Sequence, residues 1–445
     1  MATFDSTGGY IMNHRVNVKN ALEDFLKIEY TDGLQNEFNT MEALINKLKK
    51  DTLTGKYRTK TFALGVTDNI RMLGNGADGK SDRYVLGVND YSNGAETVEA
   101  QFNTTKLMGI FSITDETILK GSTDGSIFDV LNDSLGRMNM SLKHTINRFT
   151  YGSKTGQIGK ITNVGTPVAA TASLPGYVDI QVNNSLSLLP GMGIAICTVA
   201  GTPAVPTVVV QGKIWQKYSD GVGVEKVRVF LQDFANGKDA DDVTTSCYVY
   251  SRQLDKANVV PEYTGLQDIV LTQDNTIFGV DRSVYKSLNC TVEDLNNALL
   301  TESVLRDMAD HIEISCSDDS KVKLVASNHK IISTIEKQMY QFKEYSLDSN
   351  GNGFQLGRPT IKFDTYELYK DKYSRDKNVY LLDTDKIGEL VRKEFGWITS
   401  GPTAQVLERR DGSEIYEGIM TKYADMFIDA WKSHAAFINA AETVE

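Results

Sequence analysis

Hydrophobic and polar residues alternate in two short runs in the first quarter of the chain, Tyr57–Leu64 and Thr97–Phe102. Alternation with a period of two residues predicts β-strands. Turn-forming sequences such as Gly74–Gly79 and Asn93-Gly94 lie between the runs, so together they predict a long β-hairpin. Neither run carries enough large apolar side chains to form a core, and the hairpin therefore needs another surface on which to lie.

The next segment has the period of an amphipathic helix. Its apolar residues fall on one helix face: Ile127, Leu131, Leu135, Met138, Leu142, Ile146 and Phe149. Ser126 is a good N-cap and Gly152 a suitable C-terminal stop. From Ile127 to Tyr151 the helix would measure roughly 37 Å at about 1.5 Å per residue, long enough to act as a spine. Gly136 inside it predicts a bend or a close contact.

Helical periodicity disappears between about Ile161 and Tyr250, where Val, Thr and Gly predominate. This pattern predicts a small β-barrel or sandwich. Its predicted strands are Tyr177–Val182, Gly193–Val199, Thr207–Trp215, Val224–Leu231 and Cys247–Tyr250.

Helices and strands alternate from Pro261 onwards, which is an α+β pattern. The predicted helices are Val292–Leu300, Glu302–His311 and His329–Phe342. The predicted strands are Lys321–Ala326, Thr360–Asp364, Asn378–Leu382 and Ile415–Tyr423. Ahead of the hairpin, Ala21–Tyr30 and Met41–Lys50 are predicted to be short helices in an N-terminal arm.

Composition indicates a soluble globular protein with a large core, since 445 residues carry 41% hydrophobic and 24% charged side chains. No run approaches the roughly 18 apolar residues of a membrane span, and Met1–Asp5 lacks the features of a signal peptide. We therefore expect no membrane association and synthesis into the cytoplasm. The four cysteines, Cys197, Cys247, Cys290 and Cys316, are far apart, which favours reduced, buried thiols.

The formal net charge of −11 argues against a protein whose main task is to grip nucleic acid, because phosphate neutralisation needs clustered Lys and Arg. The densest basic cluster, Lys47–Lys50, is interpreted as a solvated helix face.

A search for catalytic, cofactor-binding and metal-binding residues assigns none. The histidines His14, His144, His311, His329 and His434 are scattered, and His144 is interpreted as a structural residue of the long helix. Asp348–Gly353 imitates a calcium loop, but Pro359 occupies the position of its bidentate Glu. Gly74–Gly79 is not followed by the helical pattern that a phosphate loop needs and is interpreted as a hairpin tip. The pairs Asp241-Asp242 and Asp318-Asp319 are expected to face solvent.

The order of these elements resembles the major capsid protein of tailed bacteriophages, the Hong Kong 97 fold. Three segments carry the later part of the resemblance: Phe149–Gly159 at the exit of the long helix, Glu262–Leu266 with Ile277–Arg282, and Asn378–Thr384. Before them, Thr97–Phe102 and Lys106–Glu116 are similar to the strand that returns from the extended loop of that family.

The resemblance implies an α+β, Hong Kong 97-type capsid fold with peripheral and axial domains and a small all-β insertion domain. The implied division is an N-terminal arm at 1–56, an extended loop at 57–112, a peripheral domain with the spine helix at 113–160, a barrel-like insertion at 161–255, and the axial domain with the remaining peripheral part at 256–445. The hairpin and the arm would lie across neighbouring subunits. Covalent crosslinking is not predicted, because no partner Asn is identified for Lys80 near the loop tip.

The function implied is structural and non-enzymatic: pentamers and hexamers that assemble into an icosahedral shell around double-stranded DNA without sequence-specific binding. A separate scaffolding protein, a portal and a decoration protein are the expected partners, and the virion is the expected location after assembly in the host cytoplasm. Two alternatives remain open. One is an encapsulin-like bacterial nanocompartment shell; the other is a phage tail or receptor-binding protein.

Overall fold

The computed structural model describes residues 43–64, 97–116, 126–170, 175–200, 205–219, 225–234, 239–251, 254–255, 258–259, 262–316, 320–340, 362–363, 366–374, 377–399 and 406–442. Its helices are α1 (Leu44–Lys47), α2 (Ser126–Tyr151), α3 (Glu302–Ser315) and α4 (His329–Tyr340). Helix α2 is the spine helix predicted above. A single π-helical turn, Gln267–Leu271, follows the barrel strands.

The strands fall into two groups on either side of the barrel. Those before and within the barrel are β1 (Lys49–Thr52), β2 (Arg58–Ala63), β3 (Thr97–Phe102), β4 (Thr105–Thr114), β5 (Gln157–Val164), β6 (Tyr177–Val182), β7 (Gly193–Ala200), β8 (Val205–Ser219), β9 (Glu225–Phe234) and β10 (Tyr248–Ser251). Those after it are β11 (Leu254–Asp255), β12 (Asn258–Val259), β13 (Thr276–Ile277), β14 (Val280–Asp281), β15 (Thr291–Asp294), β16 (Leu324–Ser327), β17 (Lys362–Phe363), β18 (Tyr366–Lys370), β19 (Val379–Leu382), β20 (Ile387–Trp397), β21 (Leu407–Arg409), β22 (Ile415–Ile428) and β23 (Ala435–Ile438).

A five-stranded sheet supports the spine helix. Antiparallel β20 and β22 form its centre, β1 runs parallel to β20, and both β4 and β21 run antiparallel to β22. Burial alternates along β4, so that Leu107 and Phe111 pack with Leu142 and Ile146 of the spine helix. The helix approaches this strand closely, because a Cβ added to Gly109 would lie 3.4 Å from the Leu142 side chain.

A six-stranded mixed sheet forms the other large layer, in the order β15-β23-β19-β16-β18-β17. Helices α3 and α4 pack against it through an apolar core that includes Leu305, Ile312, Ile332 and Phe437. Another core cluster, with Tyr151, Tyr380, Phe427 and Trp431 among its members, contains residues of both large sheets. We call the two sheets, the spine helix, α3 and α4 the body.

The strands β5–β10 close into a barrel in the order β10-β5-β6-β9-β8-β7. Its core consists of Val, Ile and Leu side chains together with Cys247. The predicted barrel or sandwich of five or six strands is therefore confirmed as a closed six-stranded barrel.

The predicted hairpin is present at its base, where β2 and β3 pair antiparallel from Arg58↔Phe102 to Ala63↔Thr97. Phe62, Ala100 and Phe102 of this base are buried in the core that contains Phe427 and Trp431. The expectation that the hairpin needs another surface is met here by the chain's own body. Its predicted tip, Gly74–Gly79, lies outside the described residues, as do Asn93-Gly94 and Lys80.

Two predicted helices are wrong. Val292–Leu300 overlaps β15 (Thr291–Asp294), which pairs parallel with β23 and is followed by Asn296 and Asn297, whose φ angles are 50° and 61°. Met41–Lys50 keeps one helical turn before β1 begins at Lys49. In both places pairing with a strand distant in sequence overrides a local helical pattern.

The other predicted elements of the body agree with the structure where they are described, whereas β18, β20, β21 and β23 were not predicted. Helices α3 and α4 begin at the predicted residues, and β19 and β22 fall on predicted strands. Gly136 makes no close contact, because a Cβ added there would meet nothing within 4 Å. Of the predicted apolar helix face, Leu142, Ile146 and Phe149 are buried, and Met138 packs against the same core.

Candidate functional site

Buried polar residues meet at the C-terminal end of the spine helix, where it reaches both sheets and the returning chain after the barrel. We call this region the junction and define it by Arg148, Tyr151, Glu262, Asp371 and Asp425. All five are buried in a protein interior that otherwise consists mainly of apolar side chains. Buried charge is costly unless it is paired and hydrogen-bonded, so the partners of each group decide what the junction can do.

The spine helix makes two polar contacts with distant segments. Arg148 Nη2 donates to Glu262 Oε1 at 2.8 Å, and the two side chains are only 7% and 4% exposed. Tyr151 Oη donates to Asp371 Oδ2 at 3.0 Å. Burial raises the pKa of Tyr151 and also that of Asp371. These bonds tie the end of the helix to the segment that follows the barrel and to the end of β18 in the six-stranded sheet.

Further contacts connect the end of the spine helix to the segment that follows the barrel. Asp268 accepts hydrogen bonds from Ser153 Oγ and from the Lys154 backbone N–H. Gly265 lies so close to the helix end that an added Cβ would stand 2.3 Å from the Phe149 carbonyl oxygen and 2.4 Å from that of Gly152. Only glycine fits at this position without moving backbone, so the glycine permits the close approach.

Asp425 joins three segments of the chain. Its Oδ1 accepts from the backbone N–H groups of Thr264 at 2.7 Å and Met426 at 2.8 Å, and its Oδ2 accepts from Thr105 Oγ1 at 3.1 Å. The residue is 2% exposed. Burial raises the pKa of this carboxyl to about 7, against opposing effects from Lys154 and these donors. Asp425 is therefore a group whose charge changes near neutral pH inside the body.

A second buried ion pair lies on β20 and β22 close to Asp425. Lys422 Nζ contacts Glu389 Oε1 at 2.5 Å, with side-chain exposures of 6% and 0%. The same ammonium lies 3.8 Å from Glu394 Oε2 and 5.6 Å from the Phe395 ring centroid. Because each charge is engaged by an opposite charge, this arrangement holds strands together and leaves no basic group free to activate a nucleophile.

The base of the hairpin is fixed to the body by a cluster of charges around Asp429. Its carboxylate lies 2.8 Å from Lys60 Nζ, 3.3 Å from Arg58 Nη2 and 3.5 Å from Lys49 Nζ. Burial alone would raise the pKa of Asp429, but Lys60 and the other two cations hold it below its usual range. Arg58 also lies over the Phe427 ring, 4.6 Å from the centroid. Arg58 and Lys60 lie on β2, which pairs with β3, so these contacts hold the base of the hairpin against the body.

Those sequence candidates that the structure describes are not brought together as a catalytic or metal site. His144 is buried and packs edge-on against Tyr373, at 5.2 Å between ring centroids. His434 is fully buried, which lowers its pKa to about 3, and its Nδ1 accepts from the Asp383 N–H. Among the described residues no group of three or more His, Cys, Asp or Glu side chains is placed to hold a metal ion.

The remaining candidates are placed as follows. Asp241 and Asp242 lie in a capped 3₁₀ turn in which Asp241 is exposed and Asp242 half-buried. Cys197, Cys247 and Cys290 are buried free thiols, as predicted, and Cys316 is half-buried. His14, Asp318-Asp319 and Asp348–Gly353 lie outside the described residues. No helix in the described part of the chain is long and apolar enough to cross a membrane.

Sequence reasoning missed the junction. Asp425 interrupts the apolar run Ala424–Ile428, and Arg148 stands beside buried Phe149, so each is a polar residue in a predicted core position. A polar residue in a predicted core position is therefore the sequence signal for such a buried polar site, although it does not identify the residue with which it pairs.

Comparison with known proteins identifies the fold. No protein-family model and no curated protein matches the sequence. Among solved structures, a chain of the cyanophage A-1(L) capsid asymmetric unit matches with a TM-score of 0.50 at 9% identity, over 89% of this chain and 91% of that one. The capsid of a native GTA particle matches with a TM-score of 0.41 at 6% identity, over 90% of each chain. The SrpI encapsulin of Synechococcus elongatus matches with a TM-score of 0.40 at 6% identity, over 89% and 86%.

The first of these matches extends over nearly the whole length of both chains. The protein therefore shares its mixed α and β architecture with that chain. More particularly, it has the fold of a phage capsid protein.

Proposed function

We propose that this protein is the major capsid protein of a tailed bacteriophage, with a Hong Kong 97-type fold. Its copies would assemble as pentamers and hexamers into an icosahedral shell around double-stranded DNA, without performing catalysis. The observation that carries the proposal is the shared fold with the cyanophage capsid chain over 89% of this chain.

The anchored base of the hairpin supports an assembly role. Six residue pairs join β2 to β3, and the charges around Asp429 fix them to the body. Residues 64–96 connect the ends of this short ladder. We infer that this connection, the extended loop within 57–112, contacts an adjacent subunit, and that the N-terminal arm at 1–56 does the same. Because the base of the hairpin is buried in the core of its own subunit, such a contact would be connected directly to that core.

The barrel is proposed to be an insertion at 161–255 between the peripheral part, 113–160, and the remaining axial and peripheral part, 256–445. Its entry and exit lie side by side: the Ser251 N–H donates to the Gly156 carbonyl at 3.3 Å, and the Glu262 N–H donates to the Lys154 carbonyl at 2.9 Å. Adjacent chain ends are what allow a domain to be inserted without disturbing its host.

The net charge of −11 fits a shell that encloses DNA without gripping it. We propose a separate scaffolding protein, a portal and a decoration protein as partners. Assembly in the host cytoplasm would place the protein finally in the virion.

Electron microscopy and light scattering of the purified protein, alone and with a candidate scaffolding protein, test the proposal. We expect closed shells or rings of five or six subunits. A stable monomer or trimer under both conditions would overturn it. Shells that package a protein cargo and no DNA in infected cells would instead favour a nanocompartment.

A shortened hairpin tests the assembly role separately. Replacement of residues 64–96 by Asn-Gly closes the last pair, Ala63↔Thr97, with a two-residue turn of the type that hairpins prefer. We expect a folded chain with an unchanged circular dichroism spectrum that no longer forms shells. Normal shells from this variant would show that the extended loop is not an assembly contact.

A further inference from the structure

Aromatic residues gather on the outside of the barrel, on three neighbouring strands. We call this cluster the aromatic platform and define it by Tyr177 on β6, Trp215 and Tyr218 on β8, and Arg228 and Phe230 on β9. Cross-strand registers place Tyr177 opposite Phe230 and Arg228 opposite Gln216. All five residues are partly or largely exposed, whereas their neighbours Val178, Ile214 and Val229 are buried in the apolar core.

Trp215 is the most exposed member, at 41%. It stands at a bulge, because the register between β8 and β9 shifts between Ile214 and Gln216. β-Bulges re-aim a side chain out of the regular ladder. The indole is stacked on Phe230, with ring centroids 4.7 Å apart and planes 21° apart. Phe230 covers one face and the Arg228 guanidinium carbon lies 5.8 Å from the indole centroid, so the exposed area is the part of the ring that neither residue covers.

Arg228 makes the platform rigid and removes its net charge. Its Nε and Nη2 donate to the two carboxylate oxygens of Asp179 at 2.7 and 2.8 Å, and Tyr218 Oη donates to Asp179 Oδ2 at 2.9 Å. The guanidinium carbon lies 4.3 Å from the Tyr177 ring centroid, 5.4 Å from that of Tyr218 and 5.8 Å from that of Trp215. A bidentate pair held between rings leaves little freedom to rearrange.

These features select among ligands that bind an open aromatic face. A cation is disfavoured because Arg228 already lies against the same ring. A phosphate-bearing ligand needs several unpaired cations, whereas Arg228 is satisfied by Asp179 and Lys217 lies 2.7 Å from Glu225. The exposed Lys213, opposite Phe230, offers one cation at this face and does not make a cluster. A protein partner of standard size needs roughly 800 Å² with an apolar centre, and the platform offers one strongly exposed aromatic ring. What remains is a small, uncharged ring that has both apolar faces and hydroxyl groups.

We propose that the aromatic platform binds a neutral sugar ring of a polysaccharide. The apolar face of a pyranose would lie on the open face of Trp215. The Gln216 amide on the same surface is available for its hydroxyls, and Tyr218 Oη, which donates its proton to Asp179, can accept from one of them. This proposal concerns the barrel alone and does not depend on assembly into a shell.

Affinity electrophoresis of the purified full-length protein in gels containing laminarin, dextran or galactomannan tests the proposal, with heparin as the anionic comparison. We expect retardation by at least one neutral polysaccharide and none by heparin. Trp215→Ala should weaken that retardation at least tenfold, and Trp215→Phe, which keeps a smaller ring, two- to fivefold. Tyr57→Ala is the matched control, because Tyr57 is an equally exposed aromatic residue of the body at 45%.

Intrinsic fluorescence provides an independent readout, because Trp397 and Trp431 are buried at 7% and 2% exposure and Trp215 is open to solvent. The bound polysaccharide should protect Trp215 from acrylamide quenching. Retention of binding by Trp215→Ala with an intact barrel, retardation by heparin alone, or no retardation by any of the three neutral polysaccharides would each overturn the proposal. A folded barrel in each variant is verified by urea unfolding before binding is compared.

Discussion

Different kinds of interaction stabilise the barrel and the body. The barrel is built from consecutive strands, and its core contains Val, Ile, Leu and one cysteine. The body joins segments as far apart as β1 and β22, and its interior contains the ion pairs Arg148–Glu262 and Lys422–Glu389 and the carboxyl of Asp425. Apolar contacts are non-directional, whereas buried charges are tolerated only with the right partner in place.

Because of this difference, we expect substitutions to affect the stability of the two regions differently. A barrel core can absorb a lost methyl group by partial collapse, at a cost set by the cavity left behind. A junction residue that loses its partner leaves an uncompensated charge in the interior. We therefore expect the largest effects at the junction and smaller, locally confined effects in the barrel.

The largest effect is expected for Gly265→Ala. The added Cβ would meet the carbonyl oxygens of Phe149 and Gly152, which are backbone atoms that cannot rotate away. We expect a loss of more than about 3 kcal/mol in the free energy of unfolding, or no folded body at all. Hydrogen–deuterium exchange mass spectrometry should show increased exchange in the spine helix and both large sheets.

Gly136→Ala in the spine helix is the matched control, because its Cβ would meet nothing within 4 Å. It should stabilise the helix by up to about 1 kcal/mol, the usual difference between Gly and Ala. Equal effects of the two substitutions would contradict the close approach at Gly265.

Arg148→Met should have the next largest effect. It leaves the carboxylate of Glu262 buried without its cation, which costs about 3–5 kcal/mol in comparable cases. Chemical denaturation of the full-length chain measures the change. The double variant Arg148→Met with Glu262→Leu should recover most of it, because both charges are then removed.

An exposed pair provides the comparison for this experiment. Arg306 and Glu302 are four residues apart on α3, with side chains 57% and 43% exposed. Arg306→Met should cost less than about 0.5 kcal/mol. If Arg148→Met lowers the free energy of unfolding by as little as Arg306→Met, the buried charges do not stabilise the junction.

Ile180→Ala tests whether the barrel is independent. The side chain is fully buried in the barrel core, and its truncation should cost about 2–5 kcal/mol. Exchange should increase in β5–β10 and stay unchanged in the body. The exposed barrel residue Lys213, changed to Ala, should alter neither region. A parallel loss of protection in the spine helix would show that barrel and body unfold as one unit.

The same contrast describes what could be predicted from the sequence. The barrel was predictable because each strand carries its own alternating pattern, and the spine helix because its stripe repeats every three or four residues. The strand β15 was mistaken for a helix, because only β23, more than 140 residues away, determines its structure. The aromatic platform was missed because the tryptophans are dispersed in sequence, while cross-strand register brings Trp215 to Phe230 and Arg228.

Asp425→Asn should change stability least at about pH 4, by a few tenths of a kcal/mol, because the carboxyl is then protonated in the folded chain and still partly protonated in the unfolded chain, and an amide can replace it. Its folded pKa of about 7 exceeds the ordinary value of 3.8. As pH rises from about 4 to 7 the unfolded chain loses this proton first, so the wild type loses stability over that window. The variant should not, and above pH 7 it should be the more stable protein.

His434 produces the opposite slope. Burial lowers its pKa from 6.5 to about 3, so its contribution to stability is full above about pH 6.5 and is lost as pH falls towards 3. In the wild type these slopes oppose each other between about pH 4 and 6.5, and Asp425→Asn should expose the histidine slope alone. Urea denaturation from pH 4 to 8 measures both curves. Parallel curves for wild type and variant would show that Asp425 is ionised throughout, and that the junction holds a charge where we infer a neutral acid.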